Sequence, residues 1–327
     1  MRLCSLLRAL VAAVACLEGA VAARANDSIA ETSLGGLTLT KSDAISMDSE
    51  DLSISRDRVD VKYRFTNTSD APIDTLVAFP LPVLPPGNVA GEEEAVYWGD
   101  TRDFQFETKV DGKPWPLQIV EQALFQGKDV GARLKALGIP LNRFSKRFDA
   151  AIKVLPKAER DKLIAEKLII STGDDYWAGL WELHTTVTRR QTFPAHKTVT
   201  VEHRYKPLAG SAIGPAPDSN LADFFGEFHG KYCVDEDWLR SLKHRLSTMK
   251  KDTIATEVFL GYVLKTGANW KGPIKDFRLV VDKGKPDALV SFCAEGVKKI
   301  SPTRFEVHHS DFTPTKDLDI LIFDFPR

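Results

Sequence analysis

Two short motifs in the sequence could support a serine nucleophile. Residues 247–250 (STMK) fit the S-x-x-K pattern, in which a serine lies one helical turn from a lysine, and residues 265–267 (KTG) fit K-T-G. Enzymes that use both motifs place a large helical domain with a third motif between them, whereas only residues 251–264 separate the two here. Met249 also belongs to an apolar helical stripe. We therefore interpret the pair as a chance match and assign no catalytic residue.

The histidines and acidic residues do not predict a metal site. The chain has seven histidines but no H-x-x-x-H or C-x-x-C pair. His308 and His309 are neighbours on a predicted strand and would point to opposite faces, and His203 falls on the apolar face of its strand, which indicates a buried, hydrogen-bonded histidine. Residues 48–51 (DSED) could hold calcium, but their spacing is typical of a solvated turn. We predict no metal and no cofactor.

Aromatic side chains are the third candidate for chemistry, because an exposed ring can stack on a sugar or take a peptide side chain. Tryptophans at predicted loops or strand ends are Trp98, Trp115, Trp177, Trp181 and Trp270. Most tryptophans in a sandwich belong to the core or its rim. The loop with the most varied chemistry is Asn269, Trp270 and Lys271, and we predict it as a possible binding loop.

The elements that would position these residues are mainly strands. In residues 59–65 apolar and polar residues alternate, which is the pattern of a strand with one buried face. Turn formers follow in residues 67–72, and residues 73–79 form a second strand that is apolar on both faces. Such strands need a second apolar layer, and the sequence predicts more strands to supply it. The fold class is therefore mainly β, with two β-sandwich-like domains.

Two stretches with helical periodicity and one linker-like stretch define the predicted domain organisation. Residues 121–171 have apolar positions three or four apart and predict a helical insertion in an otherwise β-rich first domain, residues 26–210. A Pro/Gly/Ala-rich stretch at residues 207–217 has the composition of a linker. The smaller second sandwich, residues 211–327, begins with a predicted lead-in helix over residues 235–251.

The first residues predict secretion. Two arginines precede an apolar run at residues 9–17, and residues 23–25 (ARA) place small residues where a signal peptidase reads, so residues 1–25 are predicted to be a cleaved signal peptide. Residues 20–22 (AVA) offer a second cut site, and lipid attachment at Cys16 is a further alternative. No later stretch has the roughly 20 apolar residues that a membrane-spanning helix needs. The predicted location is the periplasm or the extracellular space, with no integral membrane segment after cleavage.

Cleavage would leave two cysteines, Cys233 and Cys293. In an oxidising compartment a disulfide between them is the expected state, and two buried free thiols are the alternative. The formal net charge of −1 gives no electrostatic reason to expect nucleic acid or an anionic membrane surface as a partner.

Several segments resemble known families. NDSIAE, TLVAFPLP, TGANWKGPIKDFRL and LVSFC resemble the bacterial secreted proteins of the domain of unknown function 4424 family. Over residues 59–205, the order of strand, FPLP, VDGK, amphipathic helix and VTVEHRY strand also resembles the inter-alpha-trypsin inhibitor N-terminal (VIT) domain. That resemblance implies an interaction sandwich rather than an enzyme, although the von Willebrand A domain that normally follows would need a D-x-S-x-S stretch, and none occurs after residue 205.

These observations predict a non-catalytic periplasmic or secreted binding or scaffolding protein, whose partner is a protein or glycan of the cell envelope. The alternative is a periplasmic hydrolase with a site assembled from distant residues. Convergence of His184, His203 or His229 with carboxylates in an open pocket would favour that alternative.

Overall fold

The computed structural model describes residues 26–33, 36–87, 104–173, 176–217, 219–250 and 253–326. The predicted signal peptide and Trp98 lie outside these residues. The strands before residue 130 are β1 (Ser28–Ser33), β2 (Gly36–Thr40), β3 (Ile45–Ser55), β4 (Val59–Asn67), β5 (Ile73–Pro80), β6 (Glu107–Val110), β7 (Lys113–Pro114), β8 (Gln118–Phe125) and β9 (Lys128–Asp129). The later strands are β10 (Ile169–Ser171), β11 (Trp177–Gly179), β12 (Glu182–Phe193), β13 (Thr198–Tyr205), β14 (Ala209–Ile213), β15 (Thr256–Tyr262), β16 (Ile274–Asp282), β17 (Leu289–Phe292), β18 (Lys298–Lys299), β19 (Arg304–Phe312) and β20 (Leu318–Asp324).

Three of the sheets build the body of the protein, and they confirm the mainly β fold. The eight-stranded sheet has the order β18-β19-β16-β3-β4-β13-β6-β7. The six-stranded sheet has the order β2-β1-β5-β12-β8-β9, and the four-stranded sheet has the order β14-β15-β20-β17. The inner face of the eight-stranded sheet packs on both other sheets, since its His203 contacts Phe79 of the six-stranded sheet and the hydroxyl group of its Tyr63 lies 2.9 Å from that of Tyr262 in the four-stranded sheet. One continuous apolar core therefore lies between one large sheet and two smaller ones.

The alternation in β4 produces the predicted half-buried strand. Val59, Val61, Tyr63 and Phe65 are buried, while the residues between them are partly or fully exposed. The following strand, β5, is central as predicted, because β1 and β12 flank it. The two strands do not pair with each other, however. The turn between them carries the chain across the core to the facing sheet, so each strand buries one side against the other.

The predicted acidic turn at residues 48–51 is wrong. These residues belong to β3, which pairs with β4 from Ile45 to Ile54 with a register shift between Met47 and Ser49. An extra residue at a bulge changes which side chains face inward. Glu50 is thereby buried in the core on the same side as Leu52, although its neighbour Asp51 is exposed.

Five α-helices are described. They are α1 (Gly131–Ala136), α2 (Phe148–Lys153), α3 (Lys157–Ala165), α4 (Leu221–Tyr232) and α5 (Glu236–Ser247). The helical prediction for residues 121–171 is wrong at both ends, because residues 169–171 form β10 and residues 121–129 form the hairpin β8–β9. Gln126 and Gly127 both have positive φ there, which gives the tight turn that a two-residue hairpin needs. The predicted lead-in helix is α5, whose side-chain cap is Asp235, and α4 precedes it without having been predicted.

Strands on both sides of the predicted domain boundary share one sheet. β16 pairs with β3 in parallel, from Asp276 with Ser49 to Asp282 with Ser55. The boundary between residues 210 and 211 falls within β14, which pairs with β15. Separate folding of the two parts remains a prediction. None of the described helices is both long enough and apolar enough to cross a membrane.

Candidate functional site

The loop predicted to bind a ligand instead contacts the chain's own segment 26–28. A 3-10 helix, Lys265–Asn269, brings three donors to this segment. Thr266 Oγ1 donates to the Asn26 carbonyl at 2.9 Å, Trp270 Nε1 donates to the Asp27 carbonyl at 2.6 Å, and Asn269 Nδ2 donates to Ser28 Oγ at 3.0 Å. Asn269 and Trp270 are buried, so neither offers a free surface to a ligand.

The third residue of that loop, Lys271, lies at the surface. Its Nζ donates to Thr68 Oγ1 at 2.9 Å, and its backbone amide donates to the Ile45 carbonyl. The loop is therefore a docking element for segment 26–28, fixed at its outer end to β3 and to the turn after β4.

Asp27 forms an ion pair inside the protein. Arg189 of β12 donates from Nη1 and Nη2 to the two carboxylate oxygens at 2.8 and 2.6 Å, and His203 Nε2 lies 3.2 Å from both. Burial opposes the ionised carboxylate, but the charge of Arg189 and the hydrogen bonds from Arg189 and His203 hold the pKa of Asp27 well below its ordinary value. Burial lowers the pKa of His203, with the charge of Asp27 acting against it. A neutral His203 then donates from Nε2 and accepts from the Thr108 hydroxyl at Nδ1, over 2.7 Å.

Glu50 is another carboxyl group in the core. Its environment disfavours ionisation, whereas that of Asp27 favours it. Asn26 Nδ2 donates to it at 2.9 Å, and the Tyr262 hydroxyl lies 3.3 Å away and 2.9 Å from the Tyr63 hydroxyl. Burial raises the pKa of Glu50 to about 8, and the charge of Asp27 adds to the shift. Glu50 is therefore mostly protonated at neutral pH, so that Asp27 keeps its charge and Glu50 does not.

The buried polar network comprises residues 26–28 with Glu50, Tyr63, Arg189, His203 and Tyr262. It contains an acid, a base and a cation, but it is closed to solvent. Each of its side chains is buried, so no substrate reaches them. Its members come from all three large sheets: Arg189 from the six-stranded, Glu50 from the eight-stranded and Tyr262 from the four-stranded. The arrangement therefore links the three sheets through buried hydrogen bonds.

His184 and His229, the other histidines considered for a hydrolase site, do not belong to this network. His184 Nε2 lies 3.0 Å from Glu182 on its own strand, and His229 Nδ1 lies 2.7 Å from the Val234 carbonyl. His203 has its carboxylate partner in the closed core, not in an open pocket. Within the described ranges no three His, Cys, Asp or Glu side chains gather as a metal ion would require. The acidic residues considered for calcium do not form one site, since Asp48 pairs with Lys275 and Asp51 pairs with Arg278.

A cleft of about 620 Å³ lies at the end of the core, between the eight-stranded and four-stranded sheets. We call it the β19 cleft. Its lining includes Phe277, Leu279 and Val307 from the large sheet, Leu318 from the small one, and Leu264, which follows β15. Apolar walls with a few polar groups at the mouth are typical of ligand sites.

A stack of rings forms one wall of the β19 cleft. The ring centroids of Phe277 and Phe312 are 4.5 Å apart, and those of His309 and Phe312 are 5.4 Å apart. Asp311 has φ +51, and this turn out of the strand conformation directs Phe312 inward against Phe277. Glu295, Asp311 and Lys316 supply charge at the mouth.

The predicted cysteine pair borders the same cleft. Cys233 and Cys293 have Cα atoms 5.1 Å apart with their sulfur atoms at bonding distance, so the pair is able to form the disulfide. Cys233 ends α4 with φ +54, and Cys293 follows β17. The bond would fix the end of α4 to the four-stranded sheet, within the part of the chain after residue 210.

Sequence reasoning missed most of the buried network, but a signal for it exists. Arg189 follows Thr185 and Val187 at the period-two positions that face the core, and Glu50 has the same relation to Leu52. A charged residue at a core position predicts a buried partner. The predicted burial of His203, which is one member of the network, is confirmed.

The fold and the site together define a mainly β protein with a buried polar network in its core and, among the described residues, a cleft with an apolar floor. The chain belongs to the family described as "Domain of unknown function (DUF4424)", whose pattern matches residues 25–321. No curated protein is significantly similar to it. A solved structure of a "putative nutrient binding protein" from Legionella pneumophila shares 16% identity with a TM-score of 0.42, covering 90% of this chain and 72% of that one.

Proposed function

We propose that the protein is a non-catalytic binding protein of the periplasm or extracellular space, and that its ligand occupies the β19 cleft. The observation that carries this proposal is the cleft itself: a space of about 620 Å³ that opens to solvent, with core side chains at its floor and charged groups at its mouth. Covering the apolar surface that the cleft still exposes is favourable by about 25 cal/mol per Å². The acid and base groups that strands from different sheets bring together are enclosed in the buried polar network, which favours binding over hydrolysis.

A neutral apolar dye tests whether the cleft binds. We expect N-phenyl-1-naphthylamine to bind the native protein with enhanced fluorescence, and its neutrality avoids repulsion by the acidic mouth. Ala294 is exposed at the mouth, so Ala294→Trp fills the entrance without disturbing packed side chains. This variant should weaken dye binding at least about tenfold, a loss of about 1.4 kcal/mol.

The matched control is Ala222→Trp, which adds the same indole at an exposed position of α4 outside the cleft lining. It should bind the dye as the native protein does. Absence of dye binding to the native protein, or equal binding by both variants, would overturn the proposal.

The location is supported by the signal-like residues 1–25 and is tested by intact mass. Protein purified from the native envelope should have a mass that starts at Asn26. A mass that retains residues 1–25, or that carries acyl chains on Cys16, would contradict secretion as a free protein.

A further inference from the structure

The β19 cleft opens where two paired strands separate. β18 pairs with β19 only through Lys298 with Glu306 and Lys299 with Phe305. Just before β18, Gly296 has φ +69, and the preceding residues lead away to β17 of the four-stranded sheet. The pairing that would have continued along β19 therefore stops, and a wedge opens between β19 and residues 293–295.

One edge of β19 is left without a strand along this wedge. On its other side β19 pairs with β16 over its whole length, from Arg304 to Phe312. Across the part of the chain that the structure describes, no strand pairs with residues 307–312 on the wedge side. In an antiparallel ladder alternate residues direct both N–H and C=O away from the neighbouring strand, so this edge presents backbone donors and acceptors to the cleft mouth.

The side chains of the cleft have the spacing that an added strand would use. Val307 and His309 share the inner face of β19, opposite Leu279 and Phe277 of β16. A strand beside β19 would place every second side chain on that same face and direct it into the cleft. The side chains between them would point to the outer face, where His308 lies.

The charges at the mouth favour a cation on the incoming segment. Glu295 and Asp311 stand on opposite sides of the wedge, and within the described residues neither forms an ion pair. Lys316 is the cation at the same mouth, so the carboxylates outnumber it. A lysine on the added strand would be attracted to the wedge by this imbalance.

We propose that the β19 cleft binds an extended polypeptide segment, which adds as a strand to residues 307–310 and places alternate apolar side chains on the cleft floor. This inference rests on the proposed binding function and specifies its ligand class. Main-chain hydrogen bonds give such an interaction its affinity, and the pockets for alternate side chains give its specificity.

Short peptides that alternate Val, Leu or Phe with Lys or Thr are the probes, used with the full-length protein. We expect hydrogen exchange of alternate amides in residues 307–310 to be fast in the free protein and slowed by the tightest peptide. Exchange at the outer edge of β14, which is also an edge strand, should not change. Ala294→Trp should abolish the protection, and Ala222→Trp should not.

N-methylation of alternate amides separates strand addition from simple filling of the cleft. The methylated peptide keeps its side chains but loses its donors, and we expect it to bind at least about tenfold more weakly. Glu295→Gln with Asp311→Asn, the second of which tolerates positive φ, should weaken Lys-containing peptides roughly threefold and leave Thr-containing ones unchanged.

The outcomes distinguish the two proposals. If native and methylated peptides bind equally in the cleft, the binding function stands and strand addition is overturned. If chitohexaose protects residues 307–310 and the peptides do not at millimolar concentration, the ligand class is overturned in favour of a glycan. If neither the dye nor any peptide binds, both proposals fail.

Discussion

Ionisation of Glu50 should make the stability of this protein fall as the pH rises from weakly acidic to weakly alkaline. In the folded protein burial raises the pKa of Glu50 to about 8, while in the unfolded chain it returns to 4.5. A carboxyl group with a raised pKa contributes stability that is complete below the unfolded value. That contribution is lost as the pH rises through the folded value.

The expected magnitude follows from this difference in pKa. Each pKa unit corresponds to about 1.4 kcal/mol, so the contribution falls by about 3 kcal/mol between pH 4.5 and pH 7 and by about 5 kcal/mol above pH 8. Glu50→Gln removes the ionisation but keeps an amide that can accept from Asn26 and donate to Tyr262. The free energy of unfolding of the Glu50→Gln variant should therefore not show this decrease with rising pH.

Two neighbouring groups, Asp27 and His203, change the stability with pH in the opposite direction, so the experiment must remove their effect. The pKa values of Asp27 and His203 are both lowered on folding, so their contributions are lost as the pH falls below 3.8 and 6.5 respectively. Both groups are present in the native protein and in Glu50→Gln. The difference between the two unfolding free energies therefore isolates Glu50.

The assay is urea unfolding, followed by tryptophan fluorescence at a series of pH values from 4 to 9, with linear extrapolation to water. Glu202→Gln is the control, because Glu202 is exposed on β13 and pairs with Lys62 at the surface. Its difference curve should stay within about 1 kcal/mol of constant. A flat difference curve for Glu50→Gln would refute the assignment of Glu50 as a protonated core residue.

Two further predictions concern the other buried charge and the cysteines. Arg189→Ala leaves Asp27 buried without its cation and should cost about 3–5 kcal/mol of unfolding free energy, while Arg190→Ala, exposed on the same strand, should cost under about 0.5 kcal/mol. Equal effects in urea unfolding would show that the ion pair contributes nothing specific. Replacing Cys233 and Cys293 by serine should lower stability by about 4 kcal/mol, because the bond closes a loop of 60 residues. Two free thiols in native protein, found by alkylation under denaturing conditions, would contradict this expectation.

Local patterns predicted strands well where burial alternates and poorly where a few turn-forming residues interrupt a strand. The predicted strand at residues 59–65 lies within β4, because its alternate apolar side chains are buried. Residues 48–51 have turn composition, yet β3 continues through them, since pairing with β4 and β16 on both sides outweighs local preference. Residues 121–129 have a helical spacing of apolar positions but form the hairpin β8–β9, in which residues 121–124 also pair with β12. Short amphipathic stretches are ambiguous until a partner strand is known.

The candidate site was less predictable than the fold. The sequence singled out Trp270 for its aromatic ring, but the ring's partner proved to be the Asp27 carbonyl, 243 residues away in the chain. The β19 cleft depends on where Gly296 turns the chain away from β19 and on how two sheets diverge. No spacing within one segment encodes that divergence, because it depends on three strands from two sheets.

The sequence by itself determined the strand-rich fold class, the burial of His203 and the capacity of Cys233 and Cys293 to pair, because periodicity and residue type report directly on which side chains avoid water. Only the tertiary structure decided that strands from both ends of the chain share the eight-stranded sheet and that Asp27 is charged while Glu50 is not. The reason is physical. The pKa of a carboxyl group depends on its burial and on which charges lie within a few ångströms, and the sequence alone does not specify those neighbours.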